Sequence, residues 1–106
     1  MTVHDAIKTQ VTTHPVVLYM KGTPDFPQCG FSAAAVQILR ACGVQQFFSV
    51  NVLEDSAIRQ GIKEYANWPT IPQLYVGGEF VGGSDIMREM FEDGGLQKLM
   101  REKVTT

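Results

Sequence analysis

Only two of the 106 residues are cysteine. That excludes a disulfide-stapled fold, which needs several bridges to replace a hydrophobic core. The two, Cys29 and Cys42, fall on one expected helix, about 20 Å apart at its rise of 1.5 Å per residue. Bridged cysteines need Cα atoms within about 7 Å, so no bond joins them within one chain. Excess positive charge is also missing. Nine Lys and Arg against eleven Asp and Glu leave a net charge of −2, and no basic stripe invites nucleic acid. No apolar run approaches the roughly 20 residues of a membrane span. The opening Met-Thr-Val-His-Asp-Ala-Ile-Lys has neither the apolar core of a signal peptide nor an Arg-rich transit character. Unpaired cysteines fit a reducing compartment, so a cytoplasmic protein without nucleic-acid or membrane partners is expected. There is no repeat, linker or low-complexity tract, and residues 1–106 read as one domain large enough to build its own core.

What is present alternates between helical and extended patterns. Val3, Ile7 and Val11 recur every four residues, and Pro15 ends that helix because the residue before a proline avoids helical geometry. Val16–Met20 is a continuous apolar run, the mark of a strand buried on both faces. Phe31, Ala35, Ile38, Leu39 and Cys42 form one helical stripe from Gly30 to about Ala41, stopped by Gly43. Cys42 therefore reads as core. Phe47–Val52 is a second strand, parallel to the first through a right-handed crossover. Asp55 or Ser56 can cap a third helix with Ile58, Ile62 and Tyr65 inward. Gln73–Val76 and Glu79–Val81 flank Gly77-Gly78, a hairpin signal. A fourth helix follows with Ile86, Met90 and Phe91 inward, and Leu96, Leu99 and Met100 close the chain helically; Met87, Met90 and Met100 read as core filler. The order implies an α/β fold, a four-stranded mixed sheet flanked by helices.

Chemistry concentrates on Cys29. It ends the run Lys21-Gly-Thr-Pro-Asp-Phe-Pro-Gln-Cys29, between an apolar strand and the start of a helix. Unpaired N–H groups and a partial positive charge at that helix end favour thiolate over thiol, and Lys21 adds a cation. A thiolate is both a nucleophile and a soft-metal ligand. Free cysteine often fills a core, but a loop punctuated by Pro and Gly is a poor place for that.

Other segments can meet this thiol. Trp68-Pro69-Thr70-Ile71-Pro72 brackets Thr70 and Ile71 with prolines. A cis Ile71-Pro72 bond would turn the Ile71 N–H and C=O toward a bound peptide, but only about 5% of such bonds are cis, so the residues alone favour trans. Gly82-Gly83-Ser84-Asp85 serves either as a turn with a helix cap or as a carboxylate-binding helix start whose glycines let a ligand approach. Arg59 and Lys63 share one helix face. With Lys21 they are free to converge, although two cations at that spacing are commonly just solvated surface. His4, His14 and the cysteines match no zinc-ligand spacing.

Four motifs in this order and spacing, Met20-Lys21-Gly22-Thr23-Pro24, Cys29-Gly30-Phe31-Ser32, Trp68 to Gln73, and Gly82 to Asp85, resemble the monothiol CGFS-type glutaredoxins over nearly the whole chain. The resemblance implies a thioredoxin-like fold, a cis Ile71-Pro72 bond and glutathione as ligand. By it, Lys21, Arg59 and Lys63 would attract the glycine carboxylate, Thr70 and Ile71 would bind the cysteinyl backbone, and Ser84 and Asp85 would hold the γ-glutamyl end. Pro72 and Gly83 complete the implied glutathione-binding set.

Counting thiols then separates two functions. A 2Fe-2S cluster takes four sulfur ligands in its common form, and this chain offers one credible exposed thiolate. Two chains, each supplying Cys29, and two glutathiones reach four, on the two-fold axis of a homodimer. The resemblance implies the same glutathione-ligated cluster, with a BolA-like protein and apo iron-sulfur proteins as partners, so a cluster carrier is expected. The alternative is an enzyme, a glutathione-dependent thiol–disulfide oxidoreductase with Cys29 as its catalytic thiol. Ser32 stands where a dithiol enzyme has its resolving cysteine, and Ser84 where some relatives carry another, so weak activity is expected.

Overall fold

A computed structural model describes residues 2–104. The elements in chain order are α1 (Val3–Thr13), β1 (Val16–Met20), α2 (Gly30–Ala41), β2 (Phe48–Asn51), α3 (Ser56–Ala66), β3 (Gln73–Val76), β4 (Glu79–Gly82), α4 (Ser84–Asp93) and α5 (Gly95–Lys103). The sheet order is β2-β1-β3-β4. β1 runs parallel to β2 and antiparallel to β3, and β3 pairs antiparallel with β4.

Local chemistry sets most of these bounds. Thr2 and Asp5 form a reciprocal capping box at the start of α1, satisfying two amides that the helix leaves without partners. Asp55 accepts from the Ala57 and Ile58 amides and starts α3. Gly77 and Gly78 both have positive φ, 61° and 84°, as the tight turns that match strand twist require.

Alternation along the strands divides the core. Val16, Leu18 and Met20 of β1 point into a cluster with α2, α4 and α5, including Leu39, Met87, Leu96 and Met100. Val17 and Tyr19 point to the opposite cluster, formed with α1 and α3 and including Ile7, Val11, Ile58 and Ile62. Every residue of β1 is therefore buried, and its unbroken apolar run follows from having helices on both faces.

Three expectations need correction. Phe31 does not join the inward stripe of α2 but is 64% exposed; it lines a cavity instead of covering the core. Ser32 and Val36 are buried with Ala35, Ile38 and Leu39. On α4 the fully buried residue is Met87, with Met90 and Phe91 only partly buried, because Ile86 turns toward the cavity. The second strand is shorter than Phe47–Val52, running from Phe48 to Asn51. Cys42 packs partly buried against the core cluster, as its place in the stripe requires.

Candidate active site around Cys29

β1 ends at Met20, and the chain leaves the sheet into a loop that returns to start α2. Lys21 O accepts from the Gln28 amide at 2.9 Å, and Thr23 and Phe26 exchange backbone hydrogen bonds. Gly22 allows this closure. It has φ +92°, and a Cβ there would sit 2.6 Å from both Gln28 N and Phe26 O, so no larger residue fits. The closed loop delivers Cys29 as the N-cap of α2, extended at φ −154° and ψ 137°.

At that position the sulfur faces the open amides of the first turn. The Ser32 amide, then the Phe31 amide, the Lys21 cation and the Ser32 hydroxyl hold the Cys29 pKa below the ordinary thiol range, against a smaller opposing effect of burial. The arrangement shifts the balance toward the thiolate.

The thiol opens onto a cavity of about 380 Å³. Its walls come from four separate segments. It is lined by Lys21 and Cys29, by Lys63 of α3, by Thr70, Ile71 and Pro72 as a floor, and by Gly83, Ser84 and Asp85. The Ile71-Pro72 bond is cis. Gln73, fully buried, fixes the floor: its Nε2 donates to the Trp68 and Thr70 carbonyls, each at 3.2 Å, and its Oε1 accepts from the Tyr75 hydroxyl. Gly83 is the N-cap of α4 and offers no side chain to the first-turn amides. Those amides carry partial positive charge, and the Asp85 carboxylate beside them is the acid on the wall.

Nine of the ten residues that the sequence singles out thus meet around one space. Arg59 does not line it; it stands one turn before Lys63, about 6 Å further along the helix axis. Phe31, Trp68, Pro69 and Ile86 line the cavity as well and were not among the expected site residues. Trp68 and Pro69 adjoin Thr70, which was a usable signal; nothing in periodicity marked Phe31. Among the described residues, no three His, Cys, Asp or Glu side chains gather to hold a metal ion. Cys29 is the cysteine whose sulfur borders this cavity. No described helix is long and apolar enough to cross a membrane.

A four-stranded mixed sheet flanked by five helices, with one acidified thiol where the first βα loop enters its helix, defines a thioredoxin-like protein of the glutaredoxin type. The family profile Glutaredoxin matches residues 16–81. Monothiol glutaredoxin-5, mitochondrial, of Lachancea kluyveri is 54% identical over 99 residues, 92% of this chain and 69% of the relative. Glutaredoxin 4 of Escherichia coli K12 is 52% identical over 101 residues, 95% and 87% of the two chains. The solution structure of reduced poplar apo GrxS14 superposes with a TM-score of 0.81 at 53% identity, covering 92% of this chain and 89% of that one. The chain belongs to the glutaredoxin family, in its monothiol class.

Proposed function

We propose that the chain binds glutathione in this cavity and carries a 2Fe-2S cluster as cargo, ligated in a homodimer by Cys29 of each chain and by two glutathiones. The observation that carries this reading is one acidified thiol at a cavity that two lysines and an uncapped helix N-terminus also line. Glutathione has matching ends. Lys21 and Lys63 would pair with its glycine carboxylate, and Arg59 outside the wall would add a longer-range cation. The Thr70, Ile71 and Pro72 backbone would take the cysteinyl segment. The amides at Gly83, Ser84 and Asp85 would receive the γ-glutamyl carboxylate, and the Asp85 side chain its ammonium group.

So placed, the glutathione sulfur would lie beside Cys29. One chain and one glutathione supply two sulfurs, half of what the cluster takes, and a second copy supplies the rest. Half of the ligands are then exchangeable small molecules, which suits transfer to apo iron-sulfur proteins and ligand exchange with a BolA-like partner. We place the protein, acting as one glutaredoxin domain over residues 1–106, in the cytoplasm.

A second reading, thiol–disulfide exchange, is favoured by the same acidified thiol. Cys29 thiolate would attack the glutathione sulfur of a mixed disulfide and release the substrate thiolate. A glutathione thiolate would then attack the new disulfide, leaving as glutathione disulfide and restoring Cys29. Ser32 and Ser84 provide no internal resolving thiol, so turnover would depend on free glutathione and be slow.

Anaerobic reconstitution with ferrous iron, sulfide and glutathione tests the first reading. The expected product is a coloured dimer whose colour needs glutathione. A colourless monomer under those conditions contradicts carriage, and turnover in a mixed-disulfide reduction assay matching an efficient dithiol enzyme would make catalysis the main role.

A further inference from the structure

Beyond Met20 the chain has left the sheet, so the Lys21 and Gly22 amides need partners from elsewhere. They find them in two side chains from different elements. The Lys21 N–H donates to Ser32 Oγ at 3.0 Å, and the Gly22 N–H donates to Asn51 Oδ1 at 3.0 Å. Asn51 Oδ1 also accepts from the Leu53 N–H at 3.0 Å. Ser32 is completely buried in the first turn of α2, and Asn51 is the last residue of β2, in register with Met20.

We propose that Ser32 and Asn51 clamp the Lys21-Gly22 backbone, making both of them positioning residues for the Lys21 side chain and the Cys29 thiol. Ser32 is thus more than a blank where a second cysteine is missing. Its oxygen lone pair is engaged by Lys21, which leaves the hydroxyl proton free to turn toward Cys29, and a hydroxyl can do both at once. A thiol at this position accepts weakly, so restoring the dithiol sequence would loosen the loop that presents the reactive sulfur. Asn51 is the more telling member of the pair. Its side-chain oxygen holds the Gly22 and Leu53 amides, and through Gly22 it acts on the thiol by way of the loop. From Gly22 that path is short, because the Gly22–Pro27 bridge and the Lys21–Gln28 hydrogen bond close the loop two residues and one residue before Cys29.

The clamp does not depend on which ligand the cavity takes; its consequence for glutathione rests on the reading above. The test therefore uses the full chain without glutathione. Amide hydrogen exchange should accelerate about fivefold or more at Lys21 in Ser32→Ala and at Gly22 in Asn51→Ala, the loss expected for one hydrogen bond near 1 kcal/mol. The Leu18 and Tyr19 amides should stay protected. Ser32→Cys should behave as Ser32→Ala, and Asn51→Asp, which keeps the acceptor, should restore protection at Gly22. The rate–pH profile of Cys29 alkylation should move to higher pH in Asn51→Ala. Unchanged exchange at Lys21 and Gly22, or an unmoved alkylation profile in Asn51→Ala, overturns the proposal. Should Ser32→Ala loosen the whole of β1, the two Asn51 variants decide: rescue by Asp supports the clamp, and equal loss in both rejects it. Glutathione failing to bind would instead count against the proposed function.

Discussion

Cys29 caps the N-terminus of α2 and Cys42 its C-terminus, with the twelve residues of one helix between them. At the first end the backbone presents N–H groups, the sulfur borders a cavity, and the thiol is more acidic than usual. At the other end the Cys42 amide is spent on the Ile38 and Leu39 carbonyls, the side chain packs against the core, and burial pushes its pKa up. The helix dipole adds to both effects, since its C-terminus disfavours a negative charge. One residue type therefore becomes two chemical groups, according to which end of the helix holds it.

Removing each sulfur in turn should give the sharpest contrast. Cys29→Ser should abolish both cluster colour after anaerobic reconstitution and mixed-disulfide formation with glutathione, whereas Cys42→Ala should retain both. Equal losses in the two variants would break the comparison. The helix between them is the common support. Leu39→Ala, deleting a fully buried side chain, should cost about 2–5 kcal/mol in denaturant unfolding while leaving the two thiols ranked as before. A reversal of their order in that variant would show that packing, and not helix polarity, ranks them.

Charge at the active end should matter less. Lys21→Gln should weaken glutathione binding a few-fold at low salt, in line with about 0.2–1 kcal/mol for an exposed ion pair, and the deficit should shrink as salt screens the wild type. Calorimetric titration checks both. The smallest effect is on stability against pH, and it has opposite signs at the two ends. A depressed folded-state pKa means that Cys29 contributes stability above the ordinary thiol pKa, lost as pH falls through the folded value. A raised folded-state pKa means that Cys42 favours the fold below the ordinary thiol pKa, an advantage lost as pH rises through the folded value. Unfolding midpoints across weakly acidic to alkaline pH should show the first slope vanish in Cys29→Ser and the second in Cys42→Ala.

Much of this contrast was legible in the residues. The apolar run of β1, the glycine turn, the Asp55 cap and the strand–loop–helix context of Cys29 are local signals, and local signals survive folding. Phe31 was not legible in this way, because a stripe at helical spacing says which residues share a face but not where the helix overhangs its support. The cis Ile71-Pro72 bond ran against frequency and was anticipated only through the family resemblance. Convergence of Lys21, Lys63 and Asp85 is a tertiary property, and the spacing of Arg59 and Lys63 could not show that only one of them borders the cavity. Ser32 and Asn51 were hidden for a similar reason: a polar residue holding a backbone amide from another element leaves no periodic trace.

Alkylation of the free protein across a pH series, with both cysteines followed by peptide mass spectrometry in the same sample, tests the difference between the helix ends most directly. The account predicts that Cys29 is modified with a midpoint below the ordinary thiol value, while Cys42 is modified with a midpoint above it. Two sulfurs titrating together, or Cys42 reacting first, would contradict it.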